Sequence, residues 1–103
     1  MARLIVSAAA SSDQTEILSD LHEKAGARTA ASYRALFGEL FDLLEIHPEI
    51  GARRPALGIG VRIGIVPPYS VPYRYDALTD TVAIVRLLHG RRHITRAILG
   101  EAG

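Results

Sequence analysis

VRIGIVPPYSVPYRYDALTDTVAIVRLLH, residues 61–89, decides how this chain folds. Two turn signals, Pro67-Pro68 and the polar run Asp76 to Asp80, divide it into three runs rich in β-branched and aromatic residues: Val61 to Val66, Tyr69 to Tyr75 and Thr81 to His89. Strands joined by connections this short lie side by side and antiparallel, so a meander is expected. Tyr69, Val71, Tyr73 and Tyr75 alternate onto one face of the middle run, which reads as packing rather than as a platform for stacked bases. The last run is apolar on both faces over most of its length, as a strand inside a sheet would be. Pro72 cuts across this pattern. It has no amide to give a ladder and belongs at an edge or a bulge, so an interruption of the middle strand is expected there.

Upstream, the period changes from two to 3.6. Tyr33, Leu36, Phe37, Leu40, Phe41, Leu43 and Leu44 recur every three or four residues and predict a helix from Ala27 to His47, ended by Pro48. A shorter helix over residues 12–25 is predicted by the stripe Ile17, Leu18, Leu21 and Ala25, with Ser11 as N-cap, Gln14 reaching back to it and Gly26 as the stop. The link is so short that the two helices must form an antiparallel hairpin. Leu4, Ile5 and Val6 before them read as a first strand, residues 48–60 as a loop and residues 95–99 as a short tail helix. The expected fold is α+β in the order β-α-α-β-β-β, a helical hairpin packed on an antiparallel sheet, in a single domain spanning 1–103.

Composition narrows the class. Apolar residues make up 49% of the chain and mean hydropathy is +0.17, rich for a chain with so much surface, which suggests apolar area waiting for a partner. With no cysteine, neither disulfides nor thiolate metal sites hold the fold. No stretch reads as a membrane span or a secretory signal, so a soluble, cytoplasmic protein is expected. Net charge is +1, but residues 1–50 carry four basic side chains against eight acidic ones, and residues 51–103 carry eight arginines against three acidic residues. That split predicts one acidic and one basic face. Arg86, Arg91 and Arg92, with Arg62 and Arg74 on neighbouring strands, form the densest basic cluster. His89 and His93 stand close enough for acid/base work if the backbone turns suitably. His22 and His47 read as structural, and no third ligand at metal spacing accompanies any histidine.

The stretch Pro67 to His93 carries a resemblance. Pro68-Tyr69, Tyr73, an aspartate turn, Val82-Ala83-Ile84-Val85-Arg86 and Leu88-His89-Gly90-Arg91-Arg92 resemble the RelE/ParE toxin family on its ParE side. Leu43, His47-Pro48, Gly51, Arg53, Pro55, Leu57 and Gly60-Val61-Arg62 match the family's connection between hairpin and sheet. The resemblance covers nearly the whole chain in order. It implies the same fold and the toxin half of a type II toxin-antitoxin pair of the kind that stabilises plasmids or chromosomes. It also implies a cognate ParD-like antitoxin whose C-terminal segment folds over the hairpin and a sheet edge, with Leu18, Leu21, Tyr33, Phe37, Tyr69 and Tyr73 as candidate contacts.

The family divides into messenger-cleaving and gyrase-poisoning branches. Where the RelE type places an arginine after the glycine-tyrosine of its middle strand, this sequence has Ser70. Where a late tyrosine belongs it has Ala97 and its neighbours, and Arg91 alone survives. Cleavage needs a phosphate clamp and a proton donor, so these departures favour an inhibitor of DNA gyrase with no catalytic residue, cofactor or metal. Arg62, Arg74, Arg86, His89, Arg91, Arg92 and His93 are the candidate target contacts, and whether any of them binds nucleic acid directly stays open. A ribosome-dependent endoribonuclease and a non-toxic binding module of the same fold are the alternatives, the second suggested by Pro72.

Overall fold

The computed structural model of the chain describes residues 1–90 together with 94, 95, 98 and 99. Strand β1 (Arg3–Val6) passes directly into helix α1 (Ala8–Ala25), and helix α2 (Ala27–Ile46) follows after Gly26 alone. The strand β2 (Ala52–Arg53) and a 3-10 turn (Pro55–Leu57) lead to β3 (Val61–Val66), β4 (Tyr69–Asp76), β5 (Thr81–Ile84) and β6 (Leu88–His89).

Helix α1 begins four residues earlier than its stripe suggests. Ser7, not Ser11, is the cap: its Oγ accepts the Ala10 amide at 3.0 Å and donates to the Val85 carbonyl at 2.8 Å. One hydroxyl thus satisfies a helix end and ties it to the sheet. Gly26 closes the hairpin at φ 94, a backbone conformation that side chains disfavour. Phe37 and Leu44 of α2 and Leu18 of α1 are buried against Val71, Tyr73, Val82 and Ile84 of the sheet. Leu36 and Leu43, read as part of that stripe, are instead 43% and 39% exposed.

The strand order is β1-β5-β4-β3-β2, with β6 paired to the start of β4. The meander β3-β4-β5 is antiparallel as expected, and β5 lies inside the sheet. The sheet as a whole is mixed, because β1 runs parallel to β5, with Leu4 opposite Val82 and Val6 opposite Ile84. A parallel pair needs a long crossover, which the hairpin and the meander together supply, and a partner so distant in sequence leaves no local pattern to read.

Pro72 resolves differently from expectation. Strand β4 is continuous through it, and the interruption falls on its neighbour, where residues 85–87 separate β5 from β6. The Val85 and Arg86 amides both point to the Pro72 carbonyl, at 3.0 and 3.4 Å, so two residues face one in a bulge. A residue's nitrogen and carbonyl share one side of a strand, so the donor that proline lacks falls where the ladder is already broken. On the face away from the hairpin, Leu57, Val61, Ile63 and Leu99 make a second, smaller core with Val85 and Ile94. Residues 95–99 lie only partly within the described chain, so the tail helix read there is outside it.

Candidate functional site

The arginines read as one cluster are separated by the fold. Arg62 faces the hairpin side of β3 and is spent on the loop after α2: its Nη1 donates to the Glu49 carbonyl at 2.7 Å and the Gly51 carbonyl at 2.9 Å, and Nη2 lies 3.5 Å from the Glu49 carboxylate. Arg74 lies on the opposite face of the sheet, where a methyl group at Gly58 would come within 3.1 Å of its guanidinium. Arg86 sits in the bulge and binds Asp13 of α1 through two bonds, Nε to Oδ2 at 2.6 Å and Nη2 to Oδ1 at 3.0 Å, with Nη1 donating to the Ile98 carbonyl at 2.8 Å. Asp13 also accepts the Leu87 amide at 3.0 Å. With side chains only 21% and 12% exposed, this pair is an internal brace, and its hydrogen bond raises the Arg86 pKa further. The expectation of a common target surface for Arg62, Arg74 and Arg86 is therefore corrected: alternation along the strands sends them to different places. Arg91, Arg92 and His93 lie outside the described residues.

His89 ends β6, exposed, with its ring edge-on to Tyr69 at 5.8 Å. Tyr69 also meets Tyr33 at 5.7 Å and Phe37 at 5.6 Å, so an aromatic chain runs from α2 through β4 to β6. Burial, then the neighbouring Tyr33 and Asp20, push the Tyr69 phenol above its ordinary value.

Of the candidate antitoxin contacts, Leu21, Tyr33 and Tyr69 are half-buried and border solvent, whereas Leu18, Phe37 and Tyr73 are closed off in the core. That is a correction: periodicity identifies the apolar face of an element but not how deep it lies. Tyr73 is the best anchored of them. Its hydroxyl accepts the Gly51 amide at 2.9 Å and donates to the Pro48 carbonyl at 2.8 Å, fixing the loop between α2 and β2.

Several surfaces on the hairpin side are accessible among the described residues, and two of them combine apolar side chains with a place a partner could reach. One is a groove of about 650 Å³ between α1 and the start of the sheet, bordered by Ile17, Asp20, Glu23, Tyr69 and His89. The other is an apolar ridge of Leu36, Leu43, Ile46 and Ile50 along and beyond the outer flank of α2. Leu36 and Leu43 stand seven residues apart, two turns along one line, the signal that would have marked them as a separate stripe. Carboxylates outnumber cations on the helices, where Glu16, Asp20, Glu23, Glu39 and Asp42 are exposed beside Lys24, Arg28 and Arg34, and Arg3, Arg53 and Arg54 are exposed on the sheet and its edge. Among the described residues no group of histidines and carboxylates could hold a metal ion, and no helix is long and apolar enough to cross a membrane.

The helical hairpin over a mixed sheet is an α+β fold that this chain shares with known proteins. Residues 4–94 match the family described as ParE toxin of type II toxin-antitoxin system, parDE. The chain is 31% identical over 101 residues to Toxin ParE3 of Caulobacter vibrioides, covering 98% of both chains. Among solved structures, a chain of the chromosomal ParDE toxin-antitoxin system from P. aeruginosa matches at TM-score 0.71 and 24% identity, over 86% of this chain and 96% of that one. A chain of the RelBE2 toxin-antitoxin complex from Mycobacterium tuberculosis matches at TM-score 0.49 and 24% identity, over 85% and 96%. This chain belongs to the ParE family of type II toxins.

Proposed function

We propose that this toxin acts by binding and poisoning DNA gyrase, as an inhibitor rather than a catalyst, and that a ParD-like antitoxin neutralises it. The observation that carries the first half is the fate of the arginines. Arg86 is held by Asp13 and Arg62 by loop carbonyls, so neither is poised to clamp a scissile phosphate, and Ser70 stands on β4 where the nuclease branch has an arginine. The second half is supported by the apolar ridge of α2 and the groove beside α1, which offer an unfolded segment a surface on which to order itself. The P. aeruginosa likeness, to a system that pairs ParE with ParD, points the same way.

The test is a supercoiling assay with purified gyrase and relaxed plasmid, run beside a translation extract in which message integrity is followed. Inhibited supercoiling with accumulated cleaved DNA and intact messages is the expected result. Cut messages with unimpaired supercoiling would move the protein to the nuclease branch.

A further inference from the structure

The apolar ridge on the outer flank of α2 does not end with the helix. Leu36, Leu43 and Ile46 are exposed along it, and Ile46 continues past the helix end to Ile50. Those two isoleucines border a depression of about 480 Å³ with His47, Pro48 and Glu49. Leu36 and Ile46 alone are about 15 Å apart along the axis, the length of a short bound peptide. The far end of the ridge is held firmly, because the Tyr73 hydroxyl bonds the Pro48 carbonyl and the Gly51 amide on either side of Ile50. A partner therefore meets a surface already in shape, with little of it left to order.

The charge along this ridge has one sign. Residues 36–50 hold four carboxylates, Glu39, Asp42, Glu45 and Glu49, and neither a lysine nor an arginine. Glu39, Asp42 and Glu45 follow one another at intervals of three, which makes them like-charged neighbours on the helix surface. They also crowd the C-terminal half of α2, where the peptide dipoles leave negative charge and a cation would be the stabilising choice, yet the last turn has no basic residue. Arg28 and Arg34 lie nearer the start of the helix, neither of them three or four positions from a carboxylate on it. Arg62 lies 3.5 Å from the Glu49 carboxylate, and the Ala2 amide, on the Glu45 carbonyl at 2.7 Å, brings the amino terminus near Glu45. Those two cations against four carboxylates leave the flank negative. Among the described residues, Glu39 and Asp42 have no hydrogen-bond or ion-pair partner for their side chains. A local preference broken without return inside the fold points to something outside it.

Nucleic acid would be repelled by this flank, and a second copy presenting the same flank would set carboxylates against carboxylates. Aliphatic side chains interleaved with carboxylates are complementary to a peptide whose own aliphatic side chains are interleaved with lysine or arginine. We propose that the outer flank of α2 receives a basic, partly apolar segment of the antitoxin, with aliphatic side chains on Leu36, Leu43, Ile46 and Ile50 and cations beside Glu39, Asp42 and the C-terminal end of the helix. The inference rests on the antitoxin reading and adds to it a place and a partner chemistry. Binding brings to the helix the cations it lacks, so the arrangement that is unfavourable in the free toxin becomes favourable in the complex.

The experiment uses the intact toxin, two labelled peptides with leucines at the same helical spacing, and the purified product of the gene beside that of the toxin. One peptide carries lysine at its remaining positions and the other glutamate, and binding is read by fluorescence anisotropy at low and high salt. The lysine peptide is expected to bind, about tenfold more weakly at high salt, and the glutamate peptide not to bind measurably. Glu39→Gln combined with Asp42→Asn should weaken both the lysine peptide and the neighbouring gene's product about tenfold. That double variant should melt no lower than the parent, since it removes like charges from a helix end, so the loss cannot be traced to unfolding. Asp76→Asn combined with Asp80→Asn, in the turn between β4 and β5, removes as much negative charge elsewhere and should match the parent in binding. If the neighbouring gene's product binds the parent and the α2 variant alike, the place is wrong while the antitoxin reading stands. Equal binding of the glutamate peptide, or an equal loss in the turn variant, would overturn the partner chemistry and the proposal. A product that does not bind the parent toxin would remove the antitoxin reading itself, and this surface with it.

Discussion

Tyr73 shows how much one buried hydroxyl can hold in place. Replacing it with phenylalanine keeps the ring in the core but strands the Gly51 amide and the Pro48 carbonyl, a loss of about 1–3 kcal/mol in urea unfolding. Its titration supplies a second readout. Burial raises the phenol above its ordinary 10.0, Glu49 adding to the rise while the Gly51 hydrogen bond and Arg62 oppose it. The folded state therefore prefers the neutral phenol. Its contribution is intact below pH 10 and is lost as pH climbs through the raised folded value, because the unfolded chain ionises first. Stability measured between pH 9 and pH 11 should fall less steeply in Tyr73→Phe than in the parent. Asp13 is the other side chain on which much depends: Asp13→Ala leaves Arg86 and the Leu87 amide without their acceptor. The expected cost is about 3 kcal/mol, the lower end for breaking an enclosed pair, since Arg86 keeps some contact with water. Neither role was legible in the sequence. The spacing of Tyr69, Val71, Tyr73 and Tyr75 told which way the rings point, but the partners of Tyr73 and Asp13 lie more than twenty residues away and leave no local trace.

At the scale of elements, strong periodicity was legible and chain reversals over long distances were not. The span of β3 and the extent of α2 follow from their patterns almost to the residue. The start of α1 does not, because Ser7 and Ser11 both qualify as caps in the sequence and the decision is made by the bonds of Ser7, one to the Ala10 amide and one to the sheet. The bulge opposite Pro72 belongs to the same class, a feature of one strand caused by a residue on another. Glycines test the elements directly. Gly38 lies within α2, and a methyl group there would meet nothing within 4 Å, so Gly38→Ala should stabilise the protein by about 1 kcal/mol, read as a higher melting temperature. Gly51→Ala should do the reverse, by about 1–3 kcal/mol, since its methyl would fall 2.6 Å from the Tyr73 hydroxyl oxygen and 2.8 Å from the Ile63 carbonyl oxygen.

For the molecule as a whole, carboxylates predominate on the helices and arginines on the sheet and its edge, so the two sides of the fold differ in charge. The division of charge between the halves of the sequence announced that arrangement in outline, because the first half supplies both helices and the second supplies every strand except β1, which adds Arg3 to the sheet. The composition also pointed to surplus apolar surface, but not to its place on the outer flank of α2. Leu36→Glu should leave unfolding free energy within about 0.5 kcal/mol of the parent, as an exposed substitution does. If the antitoxin lies on that ridge, the same change should weaken neutralisation at least tenfold in co-expression growth assays, and full rescue would place the antitoxin elsewhere. The pairing of β1 with β5 carries a further consequence, for synthesis. A ribosome makes the first strand almost at once, yet its partner, Thr81–Ile84, emerges only when most of the chain has been translated. Until then the hairpin can form from local contacts, but the half-sheet bearing Arg3 and Ile5 has no neighbour to complete it. A message broken before codon 81 should thus yield a fragment that quality control destroys, and the cell meets a working poison only from transcripts read nearly to their end.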